Sequence, residues 1–203
     1  MDSKEDWMSK EDGVADTEPF GDVIWHITMS LDGFIAGRDD SMNWAFGFDR
    51  PSSPDYLGKR VADATGAILA GRRWHDVAIS KFDGRAGIYG GDWEGPVFVL
   101  THDPPSSPED PEINFLSGPL DQAVSEARRA AGAKSLGIFG ADIARQCLNA
   151  GLLDEIVVHV APVLLGAGVR LIETGAVNDV RLEQLEVTRS GDITDLRYRT
   201  RTA

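Results

Sequence analysis

The order of patterns along this 203-residue chain predicts an α/β fold. The sheet should be mostly parallel and flanked by helices, with an antiparallel C-terminal hairpin. Three observations predict it. β-rich apolar runs alternate with helical segments from residue 23 to about residue 162. The stretch from Lys134 to Gly168 reads as strand, glycine turn, amphipathic helix and second strand. Finally, two alternating segments at about 181–188 and 194–200 are joined across Ser190-Gly191-Asp192, a hairpin signature.

Taken in order, residues 1–20 are acidic and poor in periodic apolar positions, which predicts a flexible or loosely docked tail. Trp7, Met8 and Phe20 are the groups it would dock with. A single domain over 21–203 follows. Val23 to Met29 is β-rich and largely apolar, as in a strand buried on both faces. Ser30 to Gly37 and the polar run through Asp39, Asp40 and Ser41 to Trp44 read as a loop, with Asp32-Gly33 as a turn signal. Pro54 and Asp55 open a helical segment that runs to about Ala64. Gly66 to Ala70 is a short central strand, after which Gly71-Arg72-Arg73-Trp74 opens a turn or helix.

Residues 80–95, rich in glycine and aspartate, read as a loop. Pro96 to Leu100 is a third buried strand, ended by Thr101-His102 and a proline-rich turn, and Ile113 to Leu116 forms a brief edge strand. Leu120, Ala123, Val124 and Ala127 share one face of a helix over about 119–131. Leu136, Ile138 and Phe139 then form the strand that meets the Gly140-Ala141 turn.

Composition narrows the function. An apolar fraction of 42% with 26% charged residues is that of a soluble globular protein. A formal charge of −13 argues against nucleic acid and against an anionic membrane as partners. Cys147 is the single cysteine, which excludes internal disulfides and cysteine-rich zinc sites and suits a reducing cytoplasm. Mid-helix, it reads as a small buried apolar residue rather than a nucleophile. No apolar run approaches a membrane span, no signal peptide is apparent, and no His/Asp/Glu spacing suggests a metal site. A cytoplasmic location is the expectation.

Ligands of such sheets bind beyond the carboxyl ends of the strands. Those ends are Met29-Ser30, Ala70-Gly71, Leu100-Thr101 and Phe139-Gly140, and all carry small, polar or turn-forming residues. At Gly140 a helix starts just past a buried strand, so free N–H groups and the positive end of the helix dipole face open space. Such a junction either holds phosphate or merely packs the sheet.

These strand ends resemble, in this order, the dihydrofolate reductase-like superfamily. More narrowly, the chain from about Val23 to Arg199 looks like the C-terminal reductase domain of the bacterial riboflavin-pathway bifunctional deaminase–reductase and its stand-alone relatives. The resemblance is carried by Met29-Ser-Leu-Asp-Gly-Phe-Ile-Ala-Gly37, Gly71-Arg-Arg-Trp74, Pro96-Val-Phe-Val-Leu-Thr-His102, and Gly151-Leu-Leu-Asp-Glu-Ile156 with Ala161-Pro-Val-Leu-Leu-Gly166. It implies NADPH as hydride donor and a homodimer. It also implies that Thr28 lies near the nicotinamide, with Ser30 to Trp44 as a mobile loop over nicotinamide and substrate. Gly71, Arg72, Arg73, Thr101 and His102 would meet the adenosine ribose and its 2′-phosphate. Gly140, Ala141, Asp142 and Ile143 would offer backbone amides to the diphosphate. Many relatives carry two adjacent glycines where this chain has Phe139-Gly140, so Phe139 stands where a ring crowds the cofactor.

The protein must position two rings, exclude water and deliver a proton. Asp32 and Asp55 are the candidate proton-handling or substrate-orienting groups. Asp32-Gly33 is equally a plain turn, and Asp55 equally a helix N-terminal residue favoured by the dipole. A carboxyl buried against aromatic walls would have a raised pKa and serve as an acid. Trp44 and Phe46 read either as an apolar wall for a flat heterocycle or as loop packing. Arg72 and Arg73 are the natural phosphate clamp, with at least one held in a surface ion pair. His26 and His159, in strands, read as satisfied core or interface histidines.

The expected activity is NADPH-dependent reduction of a small heterocycle, with 5-amino-6-(5-phosphoribosylamino)uracil as the family-level substrate. Arg38, Arg50 and Lys59 are the basic residues available for a substrate phosphate. Dihydrofolate or dihydropterin reduction is the enzymatic alternative. A non-catalytic dimeric binding protein that has lost cofactor affinity is the other, and Phe139 is the feature that favours it.

Overall fold

Apolar runs long enough for a strand but too short for a helix supply most of the sheet. The computed structural model describes residues 21–48, 56–106, 110–173, 175, 177 and 179–201. The acidic segment 1–20, Arg50, Pro54 and Asp55 lie outside the described residues. In chain order the elements are β1 (Val23–Ser30), β2 (Phe34–Ala36), α1 (Leu57–Ala64), β3 (Thr65–Gly71), α2 (Arg72–Lys81), β4 (Val97–Leu100) and β5 (Ile113–Leu116). There follow α3 (Leu120–Ala131), β6 (Ser135–Phe139), α4 (Ala141–Asn149), β7 (Glu155–Ala161), β8 (Val169–Arg170), β9 (Arg181–Ser190) and β10 (Ile193–Arg201).

Eight strands form one sheet in the order β5-β4-β3-β6-β1-β7-β10-β9. Every pair from β5 to β7 is parallel, and β10 runs antiparallel to both β7 and β9. The expected α/β class and the antiparallel C-terminal hairpin are therefore both present.

Two segments expected to be loops carry structure. Phe34–Ala36 pairs with Val169–Arg170 as a separate two-stranded antiparallel sheet. Residues Gly84–Gly91 wind into 3-10 turns that bury Ile88, and Trp93 follows into the core. Both elements escape periodicity because they are two to eight residues long or irregular.

The buried strands are apolar on both faces, as parallel strands covered by helices require. On β3, Ala67 and Leu69 join Trp25, Leu136 and Ile138 under α3 and α4, while Ile68 and Ala70 face the Gly84–Gly91 segment and Trp93. The small Ala123 and Ala127 let α3 lie close to the sheet. Cys147 is fully buried in the same core, and burial pushes its thiol up to about 12, so it is inert as a nucleophile. On the other face, Leu57 and Val61 of α1 pack on Ile24 and Val157.

The Phe34–Val169 ribbon holds the first half of the loop after β1 against the body. Its close approach depends on Gly168, at φ +139°, where an added Cβ would lie 2.0 Å from the Ala36 carbonyl oxygen. Gly168→Ala should therefore part β2 from β8 and destabilise the protein by more than about 1 kcal/mol, read by urea unfolding.

Candidate active site

The site exists because β1 changes neighbours along its length. It pairs with β6 only at Val23, Ile24 and Trp25, but with β7 from Ile24 through to Ser30. Past Trp25 the β6 side of the strand stands open, and His26, Ile27 and Thr28 line the resulting cleft. Its volume is about 1100 Å³, ample for a dinucleotide with a small ring beside it.

Four helices begin at its rim, and none has a side-chain cap; the N-cap residue of α1 is Tyr56, and the other three start at residues with no side-chain oxygen. The N-cap residues are Gly71 for α2, Pro119 for α3 and Gly140 for α4. Glycine and proline have no side-chain oxygen to accept the first-turn N–H groups, so those amides remain available to a ligand. Gly140 adopts φ +88°, and a Cβ there would meet the Trp74 Cβ at 3.3 Å. At Gly71 a Cβ would meet Ile143 Cγ1 at 3.1 Å. Both glycines let two helix starts and two strand tips crowd together.

The cleft gathers most of the residues named from the sequence. Thr28, Gly71, Arg72, Arg73, Thr101 and His102 line it. So do Phe139, Gly140, Ala141, Asp142 and Ile143, with Phe46 on the loop side. Arg72 pairs with Asp76 at 2.7 Å and donates to the Asp103 carbonyl at 3.2 Å. Arg73, 74% exposed, reaches Asp40 at 2.7 Å, linking α2 to the loop after β1. Asp142 is turned along its own helix, paired with Arg145 and accepting from Gln146 at 2.8 Å. Phe139 packs edge-on against Trp74 and Tyr89, with ring centroids 5.3 and 5.7 Å away. The phenyl ring is thus a wall of the cleft, built into an aromatic cluster.

Three predicted residues do something else. Ser30 is fully buried; its hydroxyl donates to Asp32 at 2.7 Å and accepts from the Phe34 amide at 2.9 Å. Asp32 also accepts the Leu165 amide at 3.1 Å and the Gly166 amide at 2.7 Å. It ties the turn after β1 to the loop after β7, and neither Ser30 nor Asp32 is among the residues lining the cleft. Asp32 is not buried against aromatic walls, so the condition for a raised pKa is not met. The Ser30 hydroxyl, with the Gly166 and Leu165 amides, lowers it from 3.8 to about 2, so it stays ionised at neutral pH. Trp44 donates to the Ser41 carbonyl at 3.1 Å and packs in its own loop, off the cleft. Asp55 lies outside the described residues.

A polar chain on the cleft floor was not recognised from the sequence as a unit. Asp195 on β10 is opposite His159 on β7, and the two meet at 2.5 Å through His159 Nδ1. His159 Nε2 lies 2.5 Å from His26 Nε2, and His26 Nδ1 lies 3.1 Å from the Tyr89 hydroxyl. Ser190 donates to the other Asp195 oxygen. His26, His159 and Tyr89 all line the cleft, whereas Asp195 is fully buried beneath it. The available signal was one histidine inside each of two apolar strand runs and a lone aspartate in an alternating one.

The depressed Asp32 pKa fixes the sign of a pH effect. Its tether contributes stability that is complete above about pH 4 and is lost as pH falls through about 2. Asp32→Asn should therefore melt below the wild type at pH 7, and the gap should close between pH 4 and pH 2, as followed by thermal denaturation.

Comparison with known proteins agrees with this geometry. An uncharacterized Bacillus subtilis (strain 168) protein, YwjB, is 22% identical over 179 residues, spanning 87% of this chain and 96% of that one. A Shewanella sp. PV-4 structure provisionally assigned to riboflavin biosynthesis superposes with a TM-score of 0.74 at 25% identity, covering 89% of this chain and 99% of that one. The dihydrofolate reductase of Enterococcus faecalis, solved with NADP(H), superposes with a TM-score of 0.56 at 13% identity, covering 90% and 99%, so the fold is dihydrofolate reductase-like. Family members bind NADP(H) and are NADPH-dependent reductases. Residues 91–194 match the RibD C-terminal domain family, and with half its length inside that match the chain belongs to it.

Proposed function

We propose that this protein is an NADPH-dependent reductase of a small, flat heterocycle. The observation that carries the reading is the convergence of three uncapped helix starts, at Gly71, Pro119 and Gly140, on one cleft. A chain of net charge −13 gains little by leaving three positive dipole ends in one hollow unless an anion occupies it. The residues fit the cofactor: Gly71 and Gly140, which let the starts of α2 and α4 approach each other, line the same cleft as Arg72 and Arg73.

When bound, NADPH supplies the hydride. The amides at the start of α4 would hold the diphosphate, and Arg72 and Arg73, now paired with Asp76 and Asp40, would be available to the 2′-phosphate. Thr28, beside the gap left by β6, bounds the nicotinamide pocket. Phe46 and Tyr56 supply flat walls on the substrate side. Of the three basic residues considered for a substrate phosphate, Lys59 lines the cleft, Arg38 does not, and Arg50 is outside the described residues. This supports 5-amino-6-(5-phosphoribosylamino)uracil as the first substrate to test. Phe139 packed on Trp74 and Tyr89 weakens the case for a protein that has lost its cofactor.

The assembly we propose is a homodimer. β9 closes one edge of the sheet, and Leu182 and Val187 on it are 43% and 48% exposed. An edge strand carrying bare apolar side chains favours association.

Fluorescence titration should show saturable NADPH binding at sub-millimolar concentration. Arg73→Ala should weaken NADPH about tenfold, the loss of one charged hydrogen bond, and leave NADH unchanged; no saturation by the wild type would defeat the reading. Small-angle scattering at micromolar concentration should give twice the chain mass, and a monomeric mass would remove the dimer.

A further inference from the structure

Reduction of a C=N or C=O bond by hydride leaves one proton to be added at the heteroatom, and Asp32 cannot give it. We propose that Tyr89, His26, His159 and Asp195 form a proton relay that delivers this proton into the cleft through the Tyr89 hydroxyl. The proposal rests on the reductase reading for its purpose, though not for its geometry.

The chain is continuous in donors and acceptors. Each link is within hydrogen-bond reach: Asp195 Oδ1 to His159 Nδ1 at 2.5 Å, His159 Nε2 to His26 Nε2 at 2.5 Å, and His26 Nδ1 to Tyr89 Oη at 3.1 Å. Asp195 is 0% exposed and takes a second hydrogen bond from Ser190, so it is the anchored, closed end. The other three members line the cleft, which makes that the open end. Two imidazole nitrogens facing each other at this distance need one proton between them, and either ring can own it.

Two directions of donation are therefore possible. In the neutral chain, Tyr89 donates to His26 Nδ1, His26 Nε2–H donates to His159 Nε2, and His159 Nδ1–H donates to Asp195. With one more proton, His159 is an imidazolium held by the Asp195 carboxylate. Its Nε2–H then donates to His26 Nε2, and His26 Nδ1–H donates to Tyr89 Oη. The Tyr89 O–H, which also hydrogen-bonds with the Thr65 side chain, then turns to donate to a ligand in the cleft.

Delivery converts the second state into the first. The substrate heteroatom takes the Tyr89 Oη proton, and Tyr89 Oη takes the His26 Nδ1 proton. His26 Nε2 takes the His159 Nε2 proton, and His159 becomes neutral while keeping Nδ1–H on Asp195. One proton leaves the protein, matching the hydride added at carbon, and solvent resupplies it once product has left. Burial pushes the Tyr89 phenol up to about 12, so the hydroxyl holds its proton between transfers.

The surroundings hold this arrangement in place. Tyr89 sits at φ +52°, a conformation costly for a bulky residue, and its ring is wedged against Phe139 and Trp93. Gly58 of α1 lies over the His159 imidazole and leaves room for the Tyr56 ring, which an added Cβ would meet at 2.7 Å. A merely structural role needs neither the strained tyrosine nor an outlet to the cleft.

The test uses the full-length, ligand-free protein with ¹⁵N-labelled histidine. NMR should detect a scalar coupling across the His26–His159 N–H···N bond, and the shared proton should exchange with water. Tyr89→Phe keeps the ring and removes one oxygen; it should slow that exchange about tenfold or more, as expected for loss of a proton-transfer group. Absence of the coupling, or unchanged exchange in Tyr89→Phe, would overturn the relay. NADPH titration of the same samples separates the two claims. Slowed exchange without NADPH binding would refute the reductase reading alone, and NADPH binding with unchanged exchange would refute the relay alone.

Discussion

The parting of β1 from β6 after Trp25 is the constraint on which the rest depends. A parallel sheet normally buries every strand edge, because an unpaired edge leaves backbone groups to be satisfied elsewhere. Here one edge of β1 is released midway, and the space this opens is ringed by helix starts rather than filled with side chains. Gly71 and Gly140 permit the arrangement: a Cβ there would press on Ile143 or on Trp74 and push the neighbouring helix starts apart. Fold and candidate site thus have one cause, since the gap that interrupts the ladder is the cleft itself.

Electrostatics acts locally against the overall charge. The chain is strongly acidic, yet the rim carries Arg72, Arg73 and Arg145, each partnered by an aspartate. Those pairs are exposed, and exposed pairs contribute little to stability. A phosphate can therefore replace the carboxylates at small cost, whereas the buried Asp195–His159 pair cannot be exchanged so cheaply. Exposed ion pairs thus leave the rim arginines exchangeable, while a buried Asp195–His159 hydrogen bond fixes the polar chain at the floor.

The sheet and the cleft rim were legible in the sequence because the buried strands are short, largely apolar runs, several of which end in a glycine or a small polar residue. Gly71, Thr101 and Gly140 could be assigned to one rim from strand order alone. The β2–β8 ribbon was not legible, since strands of two or three residues have no period to read. The tether made by Asp32 was not legible for a different reason. The amides that hold it belong to Leu165 and Gly166, 133 and 134 positions away, and a turn signature says nothing about such partners. The polar chain escaped because a histidine in an apolar strand is usually just satisfied. Only the register of β7 against β10, which sequence does not reveal, sets His159 opposite Asp195.

The central claim is that three helix starts share one anionic ligand. Backbone amide chemical-shift mapping during an NADPH titration tests it most directly. The account predicts that the amides of Arg72 and Arg73, of Leu120, and of Ala141 to Ile143 shift together with one dissociation constant. Shifts confined to a single helix start, or none at all with NADPH in excess, would contradict it.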